Sequence, residues 1–508
     1  MSEKPAEEGQ QAADLVHLSQ LSETKDNTGD DGIAKAAPVR DNQITADPGD
    51  DADNQNVPSR PPPPPNGGYG WVCAACVGVI NAHTWGMNSS YGVFLAHYVA
   101  NDVFPGSSSL QYAFIGSLSF SIALLVSPLA TTGVRVLGTK PTMLIGVVLE
   151  AASFICASFA TQIWHLFLTQ GMLFGIGMGF LFVPSVAIVP QWFTTRRSLA
   201  NGCSTSGSGM GGLIYSFAAG AMIQNIGLAW TFRVLGIIAF VVNTICTILI
   251  KDRNKIIGTT QLAFDITLFK RAEYLLLMGY GWFSMFGYVA LVFSLANYAN
   301  TIGLDASQAA LISAFFNLGQ VFGRPSIGYF SDRTGRMTMA SVTTAIAAVF
   351  ALGLWIPAKS YAVLIVFALL GGLVCGTYWV TVSPVTAEVV GLRHVASALN
   401  LLWLTIVLPA TFSAPLAMQI VAGTGSYLGA QLFVGFMFVA GAVCVVMLRG
   451  WKIGEVEEMA RVIGAADGPD GQQEMDTYKL ENDEELRAMG RKAGRKRMFI
   501  DFWKWGKV

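Results

Sequence analysis

Arg324 is the residue on which the chemistry of this chain turns. It is the only charged side chain between Asp305 and Asp332, inside the apolar run LISAFFNLGQVFGRPSIGYF that begins at Leu311. If the run is helical, the rise from Arg324 to Asp332 is roughly 12 Å, which puts the arginine near the middle of a hydrocarbon layer about 30 Å thick. A cation at that depth costs about 2.5 kcal/mol or more, so it faces a polar cavity, takes a fixed partner or snorkels to an interface. Its planar fork holds a carboxylate bidentately, and Gln320, one turn earlier, adds a neutral donor and acceptor on the same face. The pair is a candidate anion site, with purely structural pairing as the competing reading.

A second polar cluster lies far upstream, where an apolar beginning gives way to Asn81, His83, Thr84, Asn88, Ser89, Ser90 and Tyr91. At helical spacing Asn81, Thr84, Asn88 and Tyr91 share one face, with His83 and Ser90 beside it. Such a stripe in mid-membrane meets water, solute or another helix. Asn81, Asn88, Ser89 and Tyr91 are therefore candidate solute contacts, and helix-to-helix hydrogen bonding is the alternative. His83 titrates near neutral pH and is a candidate proton carrier. Glu150, deep in another apolar run, is either a partner for Arg324 or an independent proton site.

The turn Asp332-Arg333-Thr334-Gly335-Arg336 suits a latch. Asp332 would cap a helix N-terminus or pair with an arginine of a neighbouring loop, Gly335 permits a tight turn, and Arg333 and Arg336 would face water or headgroups. Charge that merely sets membrane orientation is the plainer reading of the same turn.

The elements that must position these residues follow from composition. Of 508 residues, 52% are hydrophobic and 13% charged, too apolar for soluble domains, and the mean hydropathy is +0.48. Glycine (54) and proline (20) suit helices packed through small residues, as at Gly171 and Gly175 or Gly207 and Gly211. The net charge of −1 supports no nucleic-acid partner. Seven scattered cysteines argue against a disulfide framework or metal site, and Cys73 and Cys76 read as packing residues. No GxGxxG, Walker lysine, HExxH or serine-elbow motif stands in a strand-to-helix setting, so neither an enzyme, nor a cofactor, nor ATP drive is expected.

Twelve apolar segments follow Trp71, at about 72–97, 109–132, 142–160, 164–189, 199–225, 231–250, 272–300, 307–331, 337–357, 361–386, 395–422 and 427–449. Lys and Arg gather in alternate loops, from Arg135 and Lys140 to Arg393, while the opposite loops offer little beyond Arg233 and Lys359. By the positive-inside rule both termini are cytoplasmic. The polar connector 251–271 divides the spans into bundles 66–250 and 272–449. Arg135, Gly138 and Lys140 echo the 332–336 turn at the matching place in the first half. Residues 1–65, with thirteen acidic against five basic residues and the run Pro61 to Pro65, read as a disordered head without a cleaved signal. Residues 450–508 read as a polar tail whose basic, aromatic end either lies on membrane lipid or is solvated.

Three stretches carry a family likeness: NGGYGW at 66–71, WFTTRRSLANG at 192–202 and the turn 332–336. Together they resemble the monocarboxylate transporter family of the major facilitator superfamily, and INAHTWGMNSSYGVFLAHY and QWFTTRRSLANG are similar to its fungal branch. The likeness covers about residues 66–450. It implies an all-α membrane carrier of twelve helices in two six-helix bundles that moves a small solute, typically a monocarboxylate with a proton. The family's arginine of the eighth span is matched by Arg324 and followed by Pro325; its acidic residue one turn earlier falls on Gln320, and the lysine of its first span on Ser89. Anion binding would then rest on Arg324 alone, without the usual proton relay.

The expectation is a secondary carrier in the plasma membrane or an organelle membrane, such as the vacuole's, for a small organic acid, with or without H+. A neutral or bulkier solute, such as a vitamin or secondary metabolite, is the rival inside that class. A non-transporting nutrient sensor is the rival outside it.

Overall fold

A computed structural model describes residues 64–107, 109–259 and 261–466, together with Arg491, Gly494 and Arg495. Two compact units divide the chain. One, residues 61–459 with 474–508, carries the features discussed below; of the other, 1–60 with 460–473, only the end of the last helix, to Ala466, is described. The acidic head and the aromatic end of the tail lie outside the described residues.

The described chain is helical and crosses back and forth twelve times: α1 (69–100), α2 (109–137), α3 (Thr139–Ala157), α4 (Ile163–Trp192), α5 (Arg197–Ile226), α6 (Leu228–Leu249), α7 (Ala272–Thr301), α8 (Ala306–Thr334), α9 (Arg336–Trp355), α10 (Tyr361–Val390), α11 (Leu392–Thr424) and α12 (Leu428–Ala466). Eight are long and apolar enough to cross a membrane, and the two pieces of α2, bent by 43° around Val126, qualify together. The other three, α1, α5 and α8, are polar in the middle, and they border the cavity described below. The departure from a plain apolar span thus coincides with the lining of that cavity.

Within the first half, α3 packs on α4 and α6, and α5 packs on α1. Within the second, α7 packs on α11 and α8 on α10. The halves meet where α5 faces α8 and where α2 faces α11. Small residues permit these approaches: a Cβ on Gly207 of α5 would sit 1.9 Å from the Gly78 carbonyl oxygen of α1. Close backbone contact of this kind replaces the hydrophobic drive that lipid does not supply between helices.

Two features depart from expectation. The last helix does not end near 449 but continues to Ala466, with Trp451 fully buried and Lys452 paired to the buried Glu455 at 2.7 Å, so the first part of the supposed tail is structured. In α1, five residues, Ala82–Gly86, adopt a π-helical turn, and the helix is interrupted again at Ser90. Each irregularity rotates the residues beyond it away from a regular 3.6-residue stripe.

Candidate functional site

A cavity of about 90 Å³ is lined from both halves. Asn81, Asn88 and Ser89 of α1 and Thr205 and Ser208 of α5 face Tyr288 of α7 and Asn317, Gln320 and Arg324 of α8. Among the lining residues Arg324 is the sole charged one.

The Arg324 guanidinium is 4% exposed and binds across the seam between the halves. Nη1 donates to the Thr205 carbonyl oxygen at 2.5 Å and to Ser208 Oγ, and Nη2 donates to Gln320 Oε1. Gln320 Oε1 also accepts from Tyr288 Oη at 3.0 Å, while Gln320 Nε2 donates to Asn317 Oδ1 at 3.1 Å. Every recorded partner is neutral, and Nε has none. Gln320 therefore orients the cation without neutralising it, as a carboxylate at that position would.

Aromatic side chains line the same cavity. Trp85 of α1 contacts Phe120 at 4.7 Å, Phe182 at 5.1 Å and Trp379 at 5.3 Å between ring centroids, and Trp379 stacks on Trp403 at 5.9 Å. Such a wall suits an apolar or flat solute body.

The α1 stripe divides between the two roles the sequence left open. Asn81 Nδ2 donates to the Ser204 carbonyl oxygen at 3.0 Å and Asn88 Oδ1 accepts from Ser119 Oγ at 3.3 Å, yet both line the cavity, as does the exposed Ser89. Tyr91 is not brought to the site: beyond the break at Ser90, its hydroxyl donates to the Tyr112 carbonyl oxygen at 2.7 Å. His83 also points elsewhere, its Nδ1 against the Val79 carbonyl oxygen at 2.8 Å and its ring 5.6 Å from that of Tyr215. Glu150 is no partner of Arg324; it is fully buried among the helices of the first half and accepts from Asn243 Nδ2 at 2.7 Å.

The 332–336 turn joins α8 to α9 and ties them to α5 and α10. Asp332 caps the N-terminus of α5, accepting from the Ser198 and Leu199 amides at 2.9 and 2.8 Å, where the helix dipole favours negative charge. Gly335, with φ of 102°, makes the reversal into α9. Arg336 does not face water: it binds Glu388 of α10 at 2.8 Å, lies 3.7 Å from Asp332 and donates to the Thr194 carbonyl oxygen. Arg333 is exposed and lies over the Tyr329 ring at 4.2 Å. Next to Thr194 the two longer motifs touch. Asn66 Oδ1 accepts from the Thr194 and Thr195 amides at 2.6 and 3.0 Å, and Trp71 packs on Phe193 at 4.9 Å.

Sequence reasoning missed Tyr288, Asn317, Thr205, Ser208, the aromatic wall, Asn243 and Glu388. Glu388 carried a usable signal, a lone acid just before a span end. The aromatic residues carried none, because one-dimensional spacing does not separate a cavity wall from core.

Relatives agree with this architecture. The sequence model of the Major Facilitator Superfamily matches residues 74–289 and 277–468, once in each half. A protein named as a probable transporter, MCH2 of Saccharomyces cerevisiae, is 31% identical over 411 residues, covering 79% of this chain and 87% of its own. Human monocarboxylate transporter 12 is 25% identical over 429 residues, covering 76% and 81%. In fold, the chain is similar to the crystal structure of the transporter FucP in the outward conformation, with a TM-score of 0.56 and 14% identity over 74% of this chain and 98% of that one. A double match to the family, one in each six-helix half, and a yeast relative spanning most of both chains place this multi-pass membrane carrier in the Major Facilitator Superfamily.

Proposed function

We propose that the protein moves a small organic acid across the plasma membrane by alternating access, with both termini in the cytoplasm. The observation that carries this reading is Arg324: a cavity-lining guanidinium whose recorded partners are all neutral, beside a glutamine that leaves its charge unspent. A buried cation without a fixed counter-ion is costly, and a solute carboxylate would supply that counter-ion. The aromatic wall around Trp85 favours an acid with an apolar or flat body. Kinship with a protein named a monocarboxylate transporter agrees with this class.

With the basic loops in the cytoplasm, the latch lies at the cytoplasmic end and closes it, and the cavity belongs to an outward-facing state. Asp332, Gly335 and Arg336 hold that end shut, with Arg333 at its surface. Gln320, Asn81, Asn88 and Ser89 are assigned to solute contact.

A second reading, a neutral or bulkier solute, is favoured by the neutral side chains at positions 89 and 320. A metabolite uptake screen at two pH values, run with the native chain and with Arg324→Ala, separates them. Acids lost in the mutant support the first reading; full uptake of an acid by the mutant overturns it.

A further inference from the structure

Away from the cavity, the first half holds a buried polar pair that the solute site does not use. Glu150 of α3 and Asn243 of α6 are both fully buried, and Asn243 Nδ2 donates to Glu150 Oε2 at 2.7 Å. The two remaining oxygens, Glu150 Oε1 and Asn243 Oδ1, have no hydrogen-bond partner. Both are acceptors if the carboxyl is ionised, so an ionised pair leaves two buried lone-pair atoms unsatisfied and one charge uncompensated. A single proton on Oε1 corrects all of this, because the neutral acid donates to Asn243 Oδ1 while the amide donates back to Oε2.

Among the described residues no cation forms an ion pair with Glu150. Gly177 of α4 presses its backbone on Glu150, since a Cβ there would fall 2.5 Å from the Glu150 nitrogen. On α6 the next titratable group is Cys246, one turn beyond Asn243 and hydrogen-bonded to Cys76, while Arg233 is held by Ser158 at 3.2 Å and lies over Phe159 and Trp230. Lys140, in the first turn of α3, donates to the Ile248 carbonyl oxygen at 2.6 Å, and Arg135 lies in the last turn of α2. His165 of α4 accepts from the Thr161 amide at 3.1 Å. From α5, Tyr215 stands within electrostatic range of Glu150, with His83 of α1 edge-on at 5.6 Å on its other side.

We propose that Glu150 and Asn243 form the carrier's proton-binding site, an acid–amide pair buried within the first half. H+ from water converts the carboxylate to the neutral acid and leaves again as H+. Loss of the proton sets two acceptors against each other, so the pair opens and the packing of α3 on α6 follows protonation. The coupling role rests on the organic-acid reading above; the proton site itself does not.

Infrared difference spectra of the full chain in phosphatidylcholine vesicles, titrated in H2O and D2O, test the site without any solute. The expected result is a protonated-carboxyl band at pH 7 that downshifts in D2O, vanishes in Glu150→Gln and moves in Asn243→Leu. Glutamine keeps both hydrogen bonds of the neutral acid, so that variant is expected to fold. Absence of the band at pH 7, or its persistence in Glu150→Gln, overturns the site. Coupling is read with pyruvate as the probe: an inward proton gradient accelerates uptake severalfold in the native chain, and in Glu150→Gln the ratio falls to unity while pyruvate exchange survives. An undiminished ratio in the mutant, or none in an active native chain, overturns the coupling. Absence of pyruvate transport altogether counts against the monocarboxylate reading, and the spectra then decide the proton site alone.

Discussion

Arg324 of α8 and Thr205 of α5 are joined side chain to backbone at 2.5 Å, and the Arg324 backbone itself lies against Gly202, where a Cβ would fall 2.4 Å from its carbonyl oxygen. The cavity's cation is therefore part of the seam between the two halves. Separating α5 from α8 strips acceptors from Nη1, so the guanidinium's need for a partner changes with the state of the carrier.

Replacing Arg324 by Ala is expected to lower uptake of an anionic solute more than tenfold at equal surface expression, because losing one partner of a buried charge contact costs about 2 kcal/mol or more. Arg324→Lys restores the charge but not the fork that reaches Thr205 and Gln320 together, and is expected to recover only part of the activity. Initial uptake rates, normalised to surface protein, check both.

Gln320→Asp places a carboxylate beside the guanidinium. A carboxylate this close to the guanidinium pairs with it and occupies the fork that a solute would need. Uptake of an anionic solute should fall severalfold, which initial rates normalised to surface protein measure.

Asp332→Ala removes the acceptor for two amides at the start of α5 and the neighbour of Arg336. Loss of a helix cap costs about 1 kcal/mol, enough to move a two-state balance roughly fivefold. The expected direction is away from the state closed at this end. A cysteine placed at the exposed Ser89, in a background lacking the native cysteines, should react more slowly with an external impermeant maleimide once Asp332 is replaced.

Trp85→Ala opens the aromatic wall at its centre, where Phe120, Phe182 and Trp379 all meet the indole. The KM for acids with a large apolar body should rise about tenfold, the order expected for a lost aromatic contact together with its buried area, while that for two- or three-carbon acids moves less. A competition series of acids of increasing size distinguishes this from a general loss of folding.

Gly207→Val drives a side chain into the Gly78 carbonyl, 1.9 Å from the site of its Cβ. Overpacking at such a crossing costs about 1–3 kcal/mol or more. Detergent-solubilised protein should unfold at a clearly lower temperature, which a thermal melt reads directly.

Much of this was legible in the chain before any coordinates. Apolar run lengths are bound to the thickness of a bilayer, so the spans could be counted, and a lone Arg324 in such a run announced a site because charge there is expensive. Asp332 was legible only as a choice between helix cap and arginine partner, and packing made it the cap of α5. What sequence spacing alone could not carry was anything across helices. A π-helical turn in α1 and the break at Ser90 took Tyr91 off the cavity, because periodicity assumes an unbroken helix. Arg336 went to Glu388, and Glu150 to Asn243 instead of Arg324, because partners are set by which spans are neighbours in space. Burial and cost are properties of a residue in its own segment and can be read along a line; pairing is a property of packed helices and is decided only in three dimensions.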